Sequence, residues 1–258
     1  MNIFRQLFKS IYSPPTVAKF RFQGIGKTIL YVFMLMLVTL SVTAFQLGST
    51  VSDGVKQFQT VLVTELPEFE LKNSILLSDL DEPLYIEVDG ENYIFDTTGT
   101  LTTTDIEQNH NQVLALLQKE AVYITNGTTQ SIRYGELGSL DLTKADLEGL
   151  TETIVGLLPL IITIIVIVLY IVLTALKYIG IFFLSLFGLI VRSKAGLKLS
   201  YKQVWVLSAY AVTLPTVFFA VTNSLNIYIP FSLTLYWLVA FIMLYLIFKE
   251  IQKPVDNE

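Results

Sequence analysis

Few residues of this sequence combine the types and the spacing that catalysis or phosphate binding requires. Residues 24–28 read Gly-Ile-Gly-Lys-Thr, which is similar to the end of a phosphate-binding loop. Such a loop also needs a glycine five residues before its last glycine, and a preceding strand. Position 21 is arginine and an apolar run follows. We therefore interpret residues 24–28 as a basic entry to a membrane segment rather than as a nucleotide site.

The motif Asp96-Thr97-Thr98-Gly99 is similar to an aspartic-protease loop, but its spacing is one residue too long. A protease of this class also needs a second carboxylate that shares a proton with the first. We predict instead a turn after a strand that ends at Phe95, in which Asp96 accepts hydrogen bonds from the local backbone.

The remaining candidates for metal or nucleophilic chemistry are isolated. His110 is the only histidine and lies in a polar run, and the chain has no cysteine, which excludes disulfides and thiol chemistry. Carboxylates cluster at residues 65–70 and 79–82 without the ordered spacing of a calcium loop, which favours a solvated acidic face. Residues 126–128 match a glycosylation sequon, which we interpret as a turn. We predict no catalytic residue, no metal or cofactor site and no nucleic-acid partner.

The charges are distributed in blocks. Residues 1–27 contain five basic and no acidic residues, and residues 49–152 contain nineteen acidic against five basic residues. A second basic block lies at residues 192–202. Lys and Arg beside a membrane span stay on the cytoplasmic side. The pattern predicts that residues 1–27 and 192–202 are cytoplasmic and that residues 48–153 are extracytoplasmic.

Composition agrees with a membrane protein. Hydrophobic residues make up 53% and charged residues 15% of the chain, and the mean hydropathy is +0.60. A soluble domain carries about 25% charged residues, and a membrane helix needs about 20 apolar residues. We predict a polytopic α-helical protein with four spans and a cytoplasmic tail, at residues 28–47, 154–191, 203–222, 231–248 and 249–258. The long basic lead favours an uncleaved anchor over a signal peptide.

The second predicted span is unusually long. A helix over residues 154–191 would measure about 57 Å at 1.5 Å per residue. Two short spans, or one long or kinked span, both fit this length. We favour one span, because it keeps residues 192–202 in the cytoplasm. The candidate bend points are Gly156, Pro159, Gly180 and Gly188. In the third span, Pro215 removes one helix hydrogen bond.

Charged side chains are almost absent from the predicted spans. Lys177 is the single exception, and we expect it to snorkel toward an interface. Acidic residues inside the membrane usually mark proton or ion coupling, so their absence argues against a self-sufficient ion-coupled transporter. A permease subunit remains the alternative. Its path beside Pro215 would use the polar residues Thr163, Thr174, Ser185, Tyr210, Thr213 and Asn223.

Periodicity predicts the remaining elements. An amphipathic helix on the inner leaflet, ended by residues 13–15, has the apolar face Ile3, Phe4, Leu7, Phe8 and Ile11. Residues 51–62 keep helical spacing, so the first span continues outward as a helix. For the outer region we predict a small α+β domain. Its elements are hairpins over 84–95 and 121–134, a helix over 105–119, and a helix capped by Thr143.

Three segments carry a resemblance to a known family. They are residues 4–14, residues 95–99, and residues 199–215 with Leu-Ser-Tyr-Lys-Gln at their start and Thr-Leu-Pro at their end. The chain resembles an uncharacterised bacterial integral-membrane family, a domain of unknown function whose members are often labelled maltodextrin utilization protein. The last segment is also similar to Yip-type membrane domains. The resemblance implies a link to sugar uptake at the bacterial cell membrane.

Together these observations predict a non-enzymatic accessory or scaffold protein of the cell membrane, with both termini in the cytoplasm. Its expected partners are the lipid bilayer and a membrane or envelope protein, and a homo-oligomer stays open. A transporter or permease subunit is the alternative, and an extracytoplasmic hydrolase is a further one.

Overall fold

The structure, a computed structural model, describes residues 1–138 and 141–252. The helices in these ranges are α1 (Ile3–Tyr12), α2 (Pro14–Lys19), α3 (Ile25–Thr64), α4 (Thr103–Asn109), α5 (Lys144–Lys194), α6 (Tyr201–Ala211), α7 (Thr213–Ser224) and α8 (Ser232–Gln252). The strands are β1 (Phe69–Lys72), β2 (Ile75–Ser78), β3 (Leu84–Val88), β4 (Glu91–Phe95), β5 (Val113–Leu116), β6 (Glu120–Thr125), β7 (Thr128–Arg133) and β8 (Leu142–Thr143).

The chain divides into two compact units. We call residues 1–49 and 161–258 the helical unit, and residues 50–160 the sheet unit. The division falls within α3 and α5, so each of these long helices contributes residues to both units.

The sheet unit contains two sheets. Five strands follow the order β3-β4-β5-β6-β7, with antiparallel neighbours except for the parallel pair β4–β5, which α4 connects along the chain. Three short strands follow the antiparallel order β2-β1-β8. Both predicted hairpins are present. Asp89, Gly90, Asn126 and Gly127 have positive φ angles in their two-residue turns, as such turns require.

The five-stranded sheet is covered on both faces. On β4, Tyr93 and Phe95 belong to one buried cluster, whereas Ile94 belongs to another cluster with Ile106 of α4. Successive strand residues point to opposite faces, so a strand buried at three consecutive positions must be covered twice.

The predicted helix over residues 105–119 is wrong beyond its first turns. Helix α4 ends at Asn109, and Val113–Leu116 form β5. Val113 and Ala115 are buried on one face. This strand forms ladders with both β4 and β6, and those hydrogen bonds between strands outweigh the local helical spacing of its leucines.

The structure describes four helices, or helix pairs, that are long and apolar enough to cross a membrane. They are α3, α5, α6 with α7, and α8. The third is interrupted at Val212, three residues before Pro215. A proline cannot donate to the carbonyl four residues earlier, which accounts for a break here. Helix α8 runs to Gln252, so the start of the predicted tail is helical, and residues 253–258 lie outside the described residues.

Helix α5 is continuous over the whole predicted second span, and no turn divides it into two helices. Two tyrosines join it to α3 within the helical unit. Tyr178 donates a hydrogen bond to the carbonyl of Ile29, at 2.8 Å, and Tyr170 donates to the carbonyl of Phe33, at 3.0 Å. Of the predicted bend points, Gly180 and Gly188 are contact positions. A Cβ at Gly188 would lie 2.8 Å from Val204.

The N-terminal helix buries only part of the predicted apolar face. Gln6, Leu7 and Ser10 are buried within the helical unit, and Ile3 and Ile11 pack beside them. Phe4, Phe8 and Tyr12 form an exposed stripe at helical spacing. The predicted apolar face is therefore split between the protein interior and the surface.

Candidate functional site

The helical unit contains a cavity of about 380 Å³ between α3, α5, the α6–α7 break and α8. Most of its lining is apolar, and it includes the buried residues Met36, Ile181 and Val212. A mostly apolar cavity with a few polar groups is the usual form of a small-ligand site. Its polar lining residues are Thr39, Thr43, Lys177, Thr216, Asn223, Tyr236 and Trp237.

Lys177 is the only charged side chain in this lining as the structure describes it. In place of the snorkelling orientation that we expected, its ammonium bonds inside the helical unit. Nζ donates to Thr216 Oγ1 at 3.2 Å and to Tyr236 Oη at 3.0 Å. It also lies 4.6 Å from the centre of the Tyr236 ring. The ring face is negative, so this placement stabilises the cation.

The number of hydrogen-bond donors and acceptors around Lys177 fixes where the hydroxyl protons lie. Thr216 Oγ1 lies 2.6 Å from the carbonyl of Val212 and donates its one proton there. The 3.0 Å contact between Thr216 and Tyr236 then requires Tyr236 to be the donor. Both oxygens consequently face Lys177 as acceptors. An ammonium has three donors, so one N–H of Lys177 remains for another group.

The helical unit also contains a closely packed polar and aromatic cluster, and one of its members, Thr213, follows the cavity residue Val212 in the chain. Tyr31 Oη is 2.6 Å from Thr213 Oγ1, and Tyr210 Oη is 2.8 Å from Gln6 Oε1. The ring centres of Tyr31 and Tyr210 lie 4.2 Å apart, and that of Phe20 lies 4.7 Å from Tyr210 in a tilted arrangement. All these side chains are buried.

The polar residues predicted to form a path are not brought together along the cavity. In the described chain, Asn223 is the one member that borders the cavity. Tyr210 and Thr213 belong to the polar and aromatic cluster around Tyr31. The others lie on α5 outside the cavity lining, and they are Thr163, Thr174 and Ser185.

A second, smaller depression adjoins the cavity between α3 and α5. Its volume is about 210 Å³, and its exposed lining is apolar. Three lining residues are common to both, namely Leu40, Thr43 and Leu173. We call this depression the apolar groove.

Asp96 occupies the turn that the sequence predicts. It is buried at the end of β4, and its carboxylate accepts hydrogen bonds from Thr98 N, Thr98 Oγ1 and Leu101 N at 2.6 to 2.9 Å. Its own backbone N donates to Leu116 O. These bonds close the turn before α4, which confirms the structural interpretation of the motif.

Two other acidic residues, Asp105 and Asp146, cap the starts of helices. Thr102 and Asp105 form a reciprocal cap at the start of α4, and Thr143 and Asp146 form the same arrangement before α5. Hydrogen bonds from the threonines lower the pKa of both carboxyls. The carboxylates at residues 65–70 and 79–82 are exposed. His110 ends α4, and its backbone N donates to Ile106 O.

Sequence reasoning identified Lys177 but missed its partners. Thr216 and Tyr236 are 39 and 59 residues away, and each sits in an ordinary apolar helix. Their only signal is that each places a hydroxyl near the outer end of a predicted span. The buried role of Gln6 was equally hidden, because its partner Tyr210 lies 204 residues away.

The described helices and the sheet unit indicate the class of protein. The chain is compatible with a multi-pass membrane protein that has a small β-sheet region between its first and second apolar helices. Residues 4–248 match the family described as "Protein of unknown function (DUF1189)", and the chain belongs to this family. No curated protein and no solved structure matches the chain.

Proposed function

We propose that this chain is a non-enzymatic accessory or scaffold protein of the bacterial cell membrane. The helical unit anchors it, and the sheet unit is presented on the extracytoplasmic side. One observation carries the proposal. Of the six polar residues considered for a path, Asn223 is the one that borders the Lys177 cavity in the described structure, which favours a binding site over a path. Such an arrangement suits recognition and attachment better than conduction.

The resemblance noted in the sequence adds a biological setting, which is sugar uptake at the cell membrane. In this setting the acidic sheet unit contacts an envelope or uptake protein, and the helices contact its membrane partner. The net negative charge of residues 49–152 gives such a contact a preference for a basic surface.

Affinity purification of the full chain from native membranes tests the scaffold role, together with maltodextrin uptake by a deletion strain. We expect a copurifying membrane or envelope partner, and slower uptake that the full chain restores. Normal uptake with no recovered partner would remove the sugar link. Maltodextrin movement into liposomes that contain the purified chain alone would contradict the accessory role.

The alternative is a permease subunit. Its support is the group of polar side chains around the cavity, where Thr39, Thr43 and Asn223 join Lys177. Four spans are few for a lone transporter, so this function needs an oligomer or a partner. In that case an Asn223→Leu variant would slow uptake by the intact complex without reducing partner recovery. The accessory role predicts no slowing of uptake while partner recovery is unchanged.

A further inference from the structure

We propose that the Lys177 cavity receives an aspartate or glutamate side chain from a membrane helix of a partner protein. Such a contact rests on the proposed function, in which the helices of this chain bind a membrane partner, and it specifies the chemical group that the partner contributes. Three features define the site. The cation lacks an anion, the spans of this chain contain none, and the cavity borders an exposed apolar surface.

The charge of Lys177 is not balanced by an anion in the described part of the chain. Its ammonium bonds to the neutral hydroxyls of Thr216 and Tyr236, and it takes part in no ion pair there. From the basic residue Arg192, Lys177 lies about 22 Å along α5 at 1.5 Å per residue, which places it within the spanning part of that helix. A charge at such a position is costly and is normally paired.

The helical unit has no acidic residue in its spans that could pair with Lys177. Its acidic residues are Glu250, Asp256 and Glu258, all of which follow the last predicted span. Glu250 comes 14 residues after Tyr236, which corresponds to about 21 Å along α8. A second copy that packs span against span lacks an acidic residue for the same reason. The spans of a different protein are therefore the source that we assign to the anion.

The surroundings of Lys177 favour a carboxylate that arrives on a helix. One N–H of the ammonium remains available, and a carboxylate oxygen is a strong acceptor for it. The cavity lining is mainly apolar and includes Leu176 and Leu233, which are exposed on the spanning helices α5 and α8. A partner helix can pack on such a surface, whereas a soluble anion would lose its hydration there. Lipid phosphates lie outside the hydrocarbon core of the bilayer.

The test measures binding of a defined membrane peptide to the purified full chain in lipid bicelles. The peptide is a dansyl-labelled helix of about 20 leucine and alanine residues, long enough to span the bilayer, with lysines at its ends and one aspartate near its centre. Two matched peptides carry asparagine or leucine in place of the aspartate. Energy transfer from the tryptophans of the chain reports binding, since Trp237 lines the cavity. The forms compared are the parent, Lys177→Gln, Lys177→Arg and the matched control Lys27→Gln.

We expect the parent, Lys177→Arg and Lys27→Gln to bind the aspartate peptide alike. Lys177→Gln should bind it about tenfold more weakly, which corresponds to the loss of one charge-assisted hydrogen bond. The asparagine and leucine peptides should bind weakly to every form, and sodium acetate at the peptide concentration should not displace the aspartate peptide. Ala220 lines the cavity from α7, so Ala220→Phe should also weaken binding of the aspartate peptide while Lys177 is intact.

Equal binding of the aspartate peptide by the parent and by Lys177→Gln would overturn the proposal, as would equal binding of the leucine peptide by the parent. Displacement by acetate would replace the partner helix by a soluble anion. If Lys177→Gln does not fold, Ala220→Phe decides, and unchanged binding in that folded variant contradicts the proposal. These outcomes concern the Lys177 contact alone, because purification from native membranes tests the scaffold role separately.

Discussion

Asp96 is a buried carboxylate whose bonds come from the turn that follows it. We expect Asp96→Ala to lower the free energy of unfolding of the full chain by about 1–3 kcal/mol, because Thr98 N and Leu101 N lose a buried acceptor. Denaturant unfolding, followed by the circular dichroism of the sheet unit, measures the change.

The matched controls are two variants of Asp89 at the exposed hairpin turn, Asp89→Ala and Asp89→Asn. Asp89 has φ 52°, which asparagine tolerates well, so Asp89→Asn should leave stability unchanged. For Asp96, the conservative change Asp96→Asn also separates structure from chemistry. Loss of a complementing phenotype by this variant, at normal stability and normal cellular level, would support the hydrolase alternative.

The caps at Asp105 and Asp146 give the fold a defined response to acid. Hydrogen bonds from Thr102 and Thr143 hold the pKa of each carboxyl below its ordinary value. A lowered folded pKa means that the stabilisation is complete above the unfolded value, about 3.9, and is lost as the pH falls through the folded pKa.

For Asp105→Asn we therefore expect a melting temperature below that of the parent from neutral pH down to about pH 4, the unfolded range of aspartate. Below that range the difference should shrink, because the parent carboxyl becomes protonated. Thermal unfolding of the full chain over this pH series measures it. A difference that stays constant to the lowest pH would show that the cap carboxylate has no lowered pKa.

Gly188 allows α5 to approach two neighbouring helices closely. A Cβ at this position would lie 2.8 Å from Val204 Cγ1 and 3.1 Å from Leu244 Cδ2. We expect Gly188→Ala to destabilise the helical unit by about 1–3 kcal/mol through overpacking. Thermal unfolding in detergent, read by size-exclusion monodispersity after heating, measures the loss.

The matched control for Gly188→Ala is Gly156→Ala, elsewhere on α5. Nothing lies within 4 Å of the added Cβ at Gly156, so this variant should be neutral or slightly more stable, by up to about 1 kcal/mol from helix propensity. Equal effects at both glycines would contradict the close packing of α5 against α6 and α8.

Local signals predicted many elements of this chain well. The Asp89-Gly90 and Asn126-Gly127 turns each lie within the predicted hairpin. A two-residue turn with positive φ depends on the types of two adjacent residues, which the sequence shows directly. The cap at Thr143 and the break near Pro215 are equally local. Strands β1, β2, β5 and β8 were missed. Strand β8 depends on a partner distant in sequence, as in the pairing of Leu71 with Leu142, and β5 pairs with β4 as well as with the adjacent β6. Strands β1 and β2 form a local hairpin that the sequence analysis did not recognise.

The candidate site was also predicted only in part. Lys177 is visible in the sequence because one charge stands out in an apolar stretch of 38 residues. Its two hydroxyl partners and the groove between α3 and α5 exist only once the helices pack. Interhelical contacts of this kind leave no periodic signal in any single helix.

At the scale of the whole molecule, charge blocks carry the prediction of topology. We expect both termini and residues 192–202 to be cytoplasmic, and residues 49–152 to lie outside. The fold is compatible with this arrangement, since the helices long and apolar enough to cross a membrane flank the sheet unit in the chain. The accessory function depends on it, because only an external sheet unit can contact an envelope partner.

The most direct test of this account labels single cysteines in intact cells with a membrane-impermeant maleimide, since the native chain has no cysteine. Glu107→Cys lies on the exposed surface of α4, and Lys198→Cys lies in the exposed loop between α5 and α6. The account predicts labelling of Glu107→Cys in intact cells and of Lys198→Cys only after the membrane is opened. Labelling of Lys198→Cys in intact cells, with protection of Glu107→Cys, would contradict it.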